Sequence, residues 1–508
     1  MTVVYPGTFA AKDPDKPALV MADTGETLTY GELEDRSVRL ARVLRDAGLQ
    51  TGDAVALLSE NDALYLVAYW AALRSGLYLV AINFHLTADE QAYILDDCGA
   101  TVLISSAAQA DRATELADRT PAVGTRLLGD DVDRAIAEAD GGPLGDQPAG
   151  ADMLYSSGTT GFPKAVKPPL RDHQVDEPGS IYVALFQPMF GFGEDTVYLS
   201  PAPMYHAAPL RFCMVVTATG GTVVAMRRFD AEQALALIEQ HRATHSQWVP
   251  TMFVRMLKLS DDVRRKYDVS SLRVAIHAAA PCPVEVKQQM IDWWGPILYE
   301  YYAATEAIGL TWITPQDWLA HPGSVGTAAL GILHIVDQDH PDQPELPVGE
   351  DGLVYFERDV MPFAYHHDPE KTRQAQHPRH DNWATTGDIG HVDEDGYLYL
   401  TDRRAFMVIS GGANIYPQEV ENALTLHPAV YDVAVIGVPD PDMGEVVKAV
   451  VVPAPGVEPG PELERELIDH VRDRIAHVKA PRTVDFVDEL PRTPTGKLVK
   501  RKLQERYR

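Results

Sequence analysis

The sequence predicts an α/β fold in two parts. The first is a large N-terminal domain of parallel-sheet subdomains that ends in an antiparallel β part. The second is a small C-terminal α+β domain. Three observations carry this expectation. A chain of 508 residues is too long for one hydrophobic core. From Thr29 to Ala278, short apolar runs alternate with amphipathic segments, the order of strands and crossover helices in a parallel sheet. Past Gly352 the apolar segments become short and alternating, with turn signals such as Asp395-Gly396, as in antiparallel strands.

The elements follow in order. Thr29 to Ala47 reads as a helix, with Leu33, Leu40, Leu44 and Ala47 on one face and Gly48 at its end. Ala54 to Leu58 is a buried strand. The apolar run Ala63 to Leu73, behind Asp62, is too short to span a bilayer and reads as a buried helix. Strand Tyr78 to Ile82, helix Thr87 to Cys98 and strand Thr101 to Ile104 continue the rhythm. Ala107 to Ala149 is weakly patterned and acidic, and Gly141-Gly142-Pro143 in it resembles a linker. Lys167 to Gly179 is polar and reads as surface. The rhythm resumes with strands Val197 to Leu199 and Thr222 to Met226, helix Asp230 to His241 and strand Val274 to Ala278. After the antiparallel part come strand Met407 to Ser410, helix Pro417 to Leu426, strands Tyr431 to Ile436 and Val447 to Val452, helix Glu462 to Ala476 and strand Thr483 to Val487. The last hundred or so residues suffice for a small core of their own. A boundary near Asp402 divides the chain into domains 1–401 and 402–508.

The formal charge of −29 argues against nucleic acid or an anionic membrane surface as a partner. Cys98, Cys213 and Cys282 are far apart and form no metal-ligand spacing, as expected of unpaired thiols in a reducing cytoplasm. Neither a signal peptide nor a transmembrane segment is visible.

One stretch is rich in phosphate chemistry: Tyr155-Ser156-Ser157-Gly158-Thr159-Thr160-Gly161-Phe162-Pro163-Lys164. Its glycines allow close backbone approach, its hydroxyls and N–H groups donate to anionic oxygens, and Lys164 adds a point charge. It departs from the G-x-x-x-x-G-K-[ST] loop, because Lys164 follows Pro163 and Ala165 follows Lys164. By itself it reads equally as a phosphate cradle or as a polar surface loop.

Three further motifs follow it: Tyr301-Tyr302-Ala303-Ala304-Thr305-Glu306, then Thr386-Gly387-Asp388, then Asp402-Arg403 with a later Pro491-Arg492-Thr493-Pro494-Thr495-Gly496-Lys497. Together, in this order, the four resemble the adenylate-forming superfamily of acyl-CoA synthetases, peptide-synthetase adenylation domains and beetle luciferases. The likeness runs from about Thr29 to Leu503. It implies that the C-terminal domain is a mobile lid. It also implies two half-reactions: a carboxylate attacks the α-phosphorus of ATP to give acyl-AMP and pyrophosphate, and a thiol, usually that of CoA, then displaces AMP.

The resemblance assigns roles by position. Ser156, Ser157, Gly158, Thr159, Gly161 and Lys164 would hold phosphates. Thr160 and Glu306 would hold Mg²⁺, a hard ion that takes oxygen ligands. Tyr302 would stack on adenine, with Tyr301, Thr305, Ala279, Ala280 and Pro281 beside the nucleotide. Asp388 would accept the ribose hydroxyls, as an acceptor-only carboxylate can. Arg403 would reach ribose and phosphate, and Asp402 would be the hinge. Lys497 would contact the carboxylate and α-phosphate during adenylation; the plain alternative is a solvated lysine like Lys500 and Lys502. His206 would lie near the carboxylate and pyrophosphate. Ser410, Gly411 and Gly412 would line the path of the pantetheine arm, unless they form a simple β-turn. Ala303 and Ala165 replace frequent glycines, and Ala405-Phe406 replaces a common Lys-Asp pair.

Because the sequence ends shortly after Lys497, with no carrier or reductase domain, free CoA is the expected acceptor. The alternative is an acyl-AMP ligase that hands its product to a separate carrier protein. The candidate acyl-pocket segments are Trp248-Val249-Pro250, His277-Ala278-Ala279 and Ile308-Gly309-Leu310. Their small residues suit a hydrophobic acid, fatty or bulky and cyclic, or else reflect close packing of strand ends. The expected partners are therefore ATP, CoA and a small carboxylic acid, with a homodimer as the candidate assembly.

Overall fold

The computed structural model describes residues 5–156, 163–411, 413–492 and 498–507. It divides into two compact units. One comprises Met1–Trp248, Asp261–Ile276 and Pro362–Thr372; the other comprises Val249–Ser260, His277–Met361 and Arg373–Arg508.

The first unit bears out the parallel α/β expectation. A five-stranded, all-parallel sheet runs in the order Thr125–Leu128, Val102–Ser105, Ala54–Leu58, Tyr78–Ile82, Ala151–Asp152. Its central strands are buried along their whole length, which is why they read as unbroken apolar runs rather than as alternations. In another run, His245–Trp248, Val197–Ser200, Thr222–Ala225 and Pro17–Met21 lie side by side, and Thr27–Thr29 pairs antiparallel with the last.

Helix starts coincide with capping residues. Thr29 and Thr87 each form a capping box with a glutamate three residues on, Glu32 and Glu90. The Asp62 carboxylate accepts from the Leu64 N–H and opens the helix Ala63–Leu73. All eleven residues of that helix are buried. Burying each of its leucines contributes roughly 1.5–3 kcal/mol, an upper figure given a partly collapsed unfolded chain.

The stretch Ala107 to Ala149 is more ordered than its composition suggests. It holds the short helix Ala110–Glu115, the edge strand Thr125–Leu128 and the helix Asp130–Glu138. All four residues of that strand are half-buried, so no alternation marks it in the sequence. The helix Ile181–Phe190, with Pro188 inside it, is likewise an addition to the sequence reading.

The second unit contains the antiparallel part expected past Gly352, and antiparallel pairing begins earlier than expected, at Leu298. Leu298–Ala303, Leu310–Ile313 and Thr327–Leu330 form one antiparallel run. A five-stranded antiparallel sheet orders Ile332–Val336, Gly352–Glu357, Asp388–Val392 and Leu398–Arg403, with Trp383–Ala384 beside Gly352–Glu357. Toward the C-terminus, the long hairpin Val430–Asp440 with Gly444–Pro453 carries Val408–Ser410 and the parallel strand Thr483–Phe486. Its apolar face packs with Val420, Leu424, Leu467 and Val471 from the helices Pro417–Thr425 and Pro461–Arg472. Among the described residues no helix is long and apolar enough to cross a membrane.

Candidate active site

In the second unit three strand ends bring predicted residues together. Tyr302 lies near the end of Leu298–Ala303, Asp388 opens its strand, and Arg403 closes the strand paired with it, with Asp388 and Arg403 opposite each other in the ladder. The Tyr302 hydroxyl and the Thr386 hydroxyl both donate to Asp388 Oδ2, each at 2.7 Å. Arg403 Nε donates to Oδ1 at 2.9 Å. Burial alone would raise the Asp388 pKa; the Arg403 charge and the donors Thr386 and Tyr302 outweigh it and hold the carboxyl below the usual aspartate range. Asp388 in turn holds the Arg403 guanidinium above its ordinary value, while burial, then Asp388, pushes the Tyr302 phenol well up. The result is a fixed anion. A carboxylate has about four acceptor positions, so with three donors in place one stays open to a ligand hydroxyl.

Tyr301 points away from Tyr302, because successive side chains on a strand alternate between faces. Thr305 and the buried Glu306 follow in the connection to Leu310–Ile313, and Glu306 adds its charge to the field on Arg403. Ala307, next in line, has φ +52, and its carbonyl accepts from Arg358 Nη1 at 2.9 Å. Ala279 has φ +76, a left-handed value costly for a residue with a Cβ. Ala279 and Ala307, two of the four described non-glycine residues with positive φ, lie beside the predicted nucleotide segments. Ala280 and Pro281 follow Ala279 in the loop before the helix Val284–Trp294.

Two pocket-segment readings are sharpened. The His277 ring is fully buried beside Glu300, which Lys287 Nζ reaches at 2.6 Å, so this segment offers its alanines rather than its imidazole. At Gly309 a Cβ would overlap the Phe356 ring, so this glycine serves close packing. Trp248 is buried and its indole N–H donates to Ser246 Oγ at 2.7 Å. Ser410 and Gly411 sit at the turn between Val408–Ser410 and Ala413–Ile415; Gly411 has φ +57 and donates its N–H to the Met443 carbonyl at 2.8 Å.

Asp402 lies within the strand Leu398–Arg403. Its Oδ1 accepts the Arg403 N–H at 2.7 Å and its Oδ2 the Gln418 N–H at 3.1 Å, in the first turn of Pro417–Thr425, where a helix dipole favours an anion. Lys500 corrects the picture of a solvated C-terminal lysine. It is 7% exposed, lies 2.9 Å from Glu421 Oε1, and its ammonium sits 5.4 Å from the Phe406 ring centre.

In the first unit, Ser156 ends the strand Leu154–Ser156 and Lys164 begins Lys164–Lys167, and the two are paired in an antiparallel ladder. Lys164 Nζ lies 2.8 Å from Asp368 Oδ2. That hydrogen bond, and the Lys371 N–H, hold the Asp368 carboxyl below its usual range. His206 is the N-cap residue of the helix Ala207–Ala218 and its ring packs 4.6 Å from that of Tyr205. Ser157, Gly158, Thr159, Thr160, Gly161, Gly412 and Lys497 lie outside the described residues. The sequence reading missed Asp368, Thr386 as a side-chain donor, and Glu421. Thr386 was visible in the Thr386-Gly387-Asp388 motif; Asp368 is 204 residues from Lys164, a distance no local pattern reports.

A family model described as AMP-binding enzyme matches residues 8–362, and one for the AMP-binding enzyme C-terminal domain matches residues 419–497. The chain belongs to the AMP-binding enzyme family. Among its relatives in this family is a feruloyl-CoA synthase of Amycolatopsis sp., 36% identical over 489 residues, covering 95% of this chain and 94% of the relative. A long-chain-fatty-acid–CoA ligase, FadD13 of Mycobacterium tuberculosis, is 33% identical over 511 residues, covering 98% and 97%. Among solved structures, ATP-bound MatB from Rhodopseudomonas palustris matches with a TM-score of 0.82 and 30% identity, over 100% of this chain and 99% of the other. The superfamily expected from the four motifs is thus the one found.

Proposed function

We propose that this AMP-binding enzyme is an ATP-dependent carboxylate–CoA ligase that takes a hydrophobic acid. It activates the acid as acyl-AMP with release of pyrophosphate, then transfers the acyl group to CoA as a thioester. The observation that carries the reading is the Asp388 carboxylate, fixed and ionised by Tyr302, Thr386 and Arg403 in a chain that matches the family along its length.

The roles follow from chemistry. One acceptor position on Asp388 remains open, so binding both ribose hydroxyls requires one present donor to yield; Arg403, released in this way, is free to turn to phosphate. Tyr302, tied by its hydroxyl, keeps its ring face for the base. Glu306 offers the hard oxygen donor that Mg²⁺ takes, and Thr160 is assigned as its second ligand. When bound, the ion neutralises phosphate charge. Ser156, Ser157, Gly158, Thr159, Gly161 and Lys164 hold the phosphates. Lys497 assists adenylation, His206 lies near the reacting carboxylate, and Ser410, Gly411 and Gly412 pass the pantetheine arm. The domains divide near Asp402, the assigned hinge, whose carboxylate accepts the backbone N–H groups of Arg403 and Gln418 on its C-terminal side. The three free cysteines support a reducing, cytoplasmic setting, and a homodimer is the assembly assigned.

The test is a pyrophosphate-release screen over fatty, aromatic and polycyclic acids, with and without CoA. The reading expects acid-dependent release and a thioester only when CoA is added. Acyl-AMP with no CoA thioester would move the assignment to a ligase serving a separate carrier protein. No release with any acid would reject the ligase reading.

A further inference from the structure

We propose that Asp97, His366 and His367 form a binding site for a first-row divalent metal of the Zn²⁺ class, within the first unit and one residue from the Asp368 that holds Lys164.

One ligand atom from each of the three residues lies within 4.8 Å of the other two. Asp97 is at the C-terminal end of the helix Ala88–Cys98, and the two histidines directly follow the strand Ala364–Tyr365. His367 Nδ1 lies 3.5 Å from Asp97 Oδ1. That separation is long for a hydrogen bond, which prefers 2.7–3.2 Å. It matches two ligands on one tetrahedral ion: metal bonds of about 2.1 Å place their donor atoms about 3.4 Å apart.

Three features build the site rather than merely gather it. The Tyr155 hydroxyl donates to Asp97 Oδ2 at 2.6 Å, which orients the carboxylate and leaves Oδ1 for the ion. His366 is fixed through its backbone N–H to the Ala165 carbonyl at 3.1 Å, and its Nε2 lies 3.0 Å from the Asp97 carbonyl. His367 has φ +55, an unfavourable backbone for a residue with a Cβ, and this turn sets its ring 3.7 Å from that of His366. Two imidazoles and one carboxylate suit Zn²⁺, Co²⁺ or Ni²⁺ rather than Mg²⁺ or Ca²⁺, which prefer oxygen alone. Three protein ligands leave a fourth position for water or an anion. The ion would clamp the strand Ala364–Tyr365 to the helix Ala88–Cys98. That strand pairs with Lys164–Lys167, so the clamp also steadies the hairpin that carries Lys164.

The test uses the full chain, stripped with chelator and titrated with Co²⁺, whose d–d bands report nitrogen and oxygen ligation. The expected result is saturating bands at one equivalent, their loss on adding Zn²⁺, and a Zn²⁺-dependent rise in Tm. His367→Gly should remove the bands and the Tm rise while leaving Tm in chelator unchanged or higher, because glycine relieves the positive φ. Tyr155→Phe should weaken Co²⁺ about 10-fold, the loss expected from a supporting hydrogen bond. Absent bands in the wild type, or bands that survive in a His366→Ala/His367→Gly double variant, would overturn the proposal.

Discussion

The charged pairs of the second unit and the Lys164–Asp368 pair of the first are built differently. Asp388 has three donors, and Glu421 and Lys500 are enclosed with side-chain exposures of 9% and 7%. Lys164 and Asp368 retain 22% and 36%, and the Lys164 hydrogen bond is the largest influence holding that carboxyl below its usual range. The contrast teaches a division of labour. The enclosed Glu421–Lys500 pair sets geometry and resists exchange; Lys164–Asp368 and Asp388–Arg403, each with an exposed partner, can be traded for a ligand. In a chain of net charge −29, a lysine held by an exchangeable acid is screened from the overall field until an anion displaces that acid.

The comparison is open to attack, beginning with the largest effect. Lys497→Ala should reduce acyl-AMP formation by about 10²–10³-fold, the scale of losing one charge-stabilising donor, yet leave thioester formation from supplied acyl-AMP nearly intact. Equal loss in both steps, measured in single turnover, would reject a lysine dedicated to one half-reaction. Next, Lys500→Ala should destabilise the protein by about 3–5 kcal/mol by denaturant titration, because it strands Glu421 in a buried site. Replacing Lys500 and Glu421 together with apolar residues should restore much of that loss.

Asp388→Asn should cost about 2 kcal/mol in stability or less, since the Arg403 side chain is 38% exposed, and it should raise the KM for ATP. The same group sets a pH dependence. The folded pKa of Asp388 lies below its unfolded value of about 3.9. Its stabilisation is therefore complete above that value and is lost as pH falls through the folded pKa. Asp388→Asn should flatten the loss of Tm below about pH 4. The smallest effect belongs to Asp368→Asn. It should leave Tm unchanged and lower the KM for ATP by removing the acid that competes with phosphate for Lys164; a large fall in Tm would show that the open pair is as structural as the enclosed one.

Much of the fold was legible because local physics decided it. Thr29, Asp62 and Thr87 announce helix starts through their own side chains, and the parallel strands announce themselves by unbroken apolar runs. The strand Thr125–Leu128 was hidden because an edge position leaves every residue half-buried and erases periodicity. The helix Ile181–Phe190 was hidden by its internal Pro188, since proline usually reads as a break. At the site, motif residues such as Tyr302, Asp388 and Arg403 were legible as positions. Their bonding was not, nor was the pairing of Lys164 with Asp368 or of Glu421 with Lys500, because such contacts depend on the folded path and not on spacing. Gly309 shows the converse: a small residue suggested a pocket and proved to admit the Phe356 ring.

The most direct test follows one atom. The acid is labelled with ¹⁸O in both carboxylate oxygens and incubated with ATP, Mg²⁺ and CoA, and the nucleotide product is weighed by mass spectrometry. Attack of the carboxylate on the α-phosphorus makes a labelled oxygen the bridge of acyl-AMP. Thiol attack at the acyl carbon then leaves that oxygen on AMP. The account predicts AMP carrying one ¹⁸O, with unlabelled pyrophosphate. ADP with labelled phosphate would mean activation at the γ-phosphorus and would contradict it.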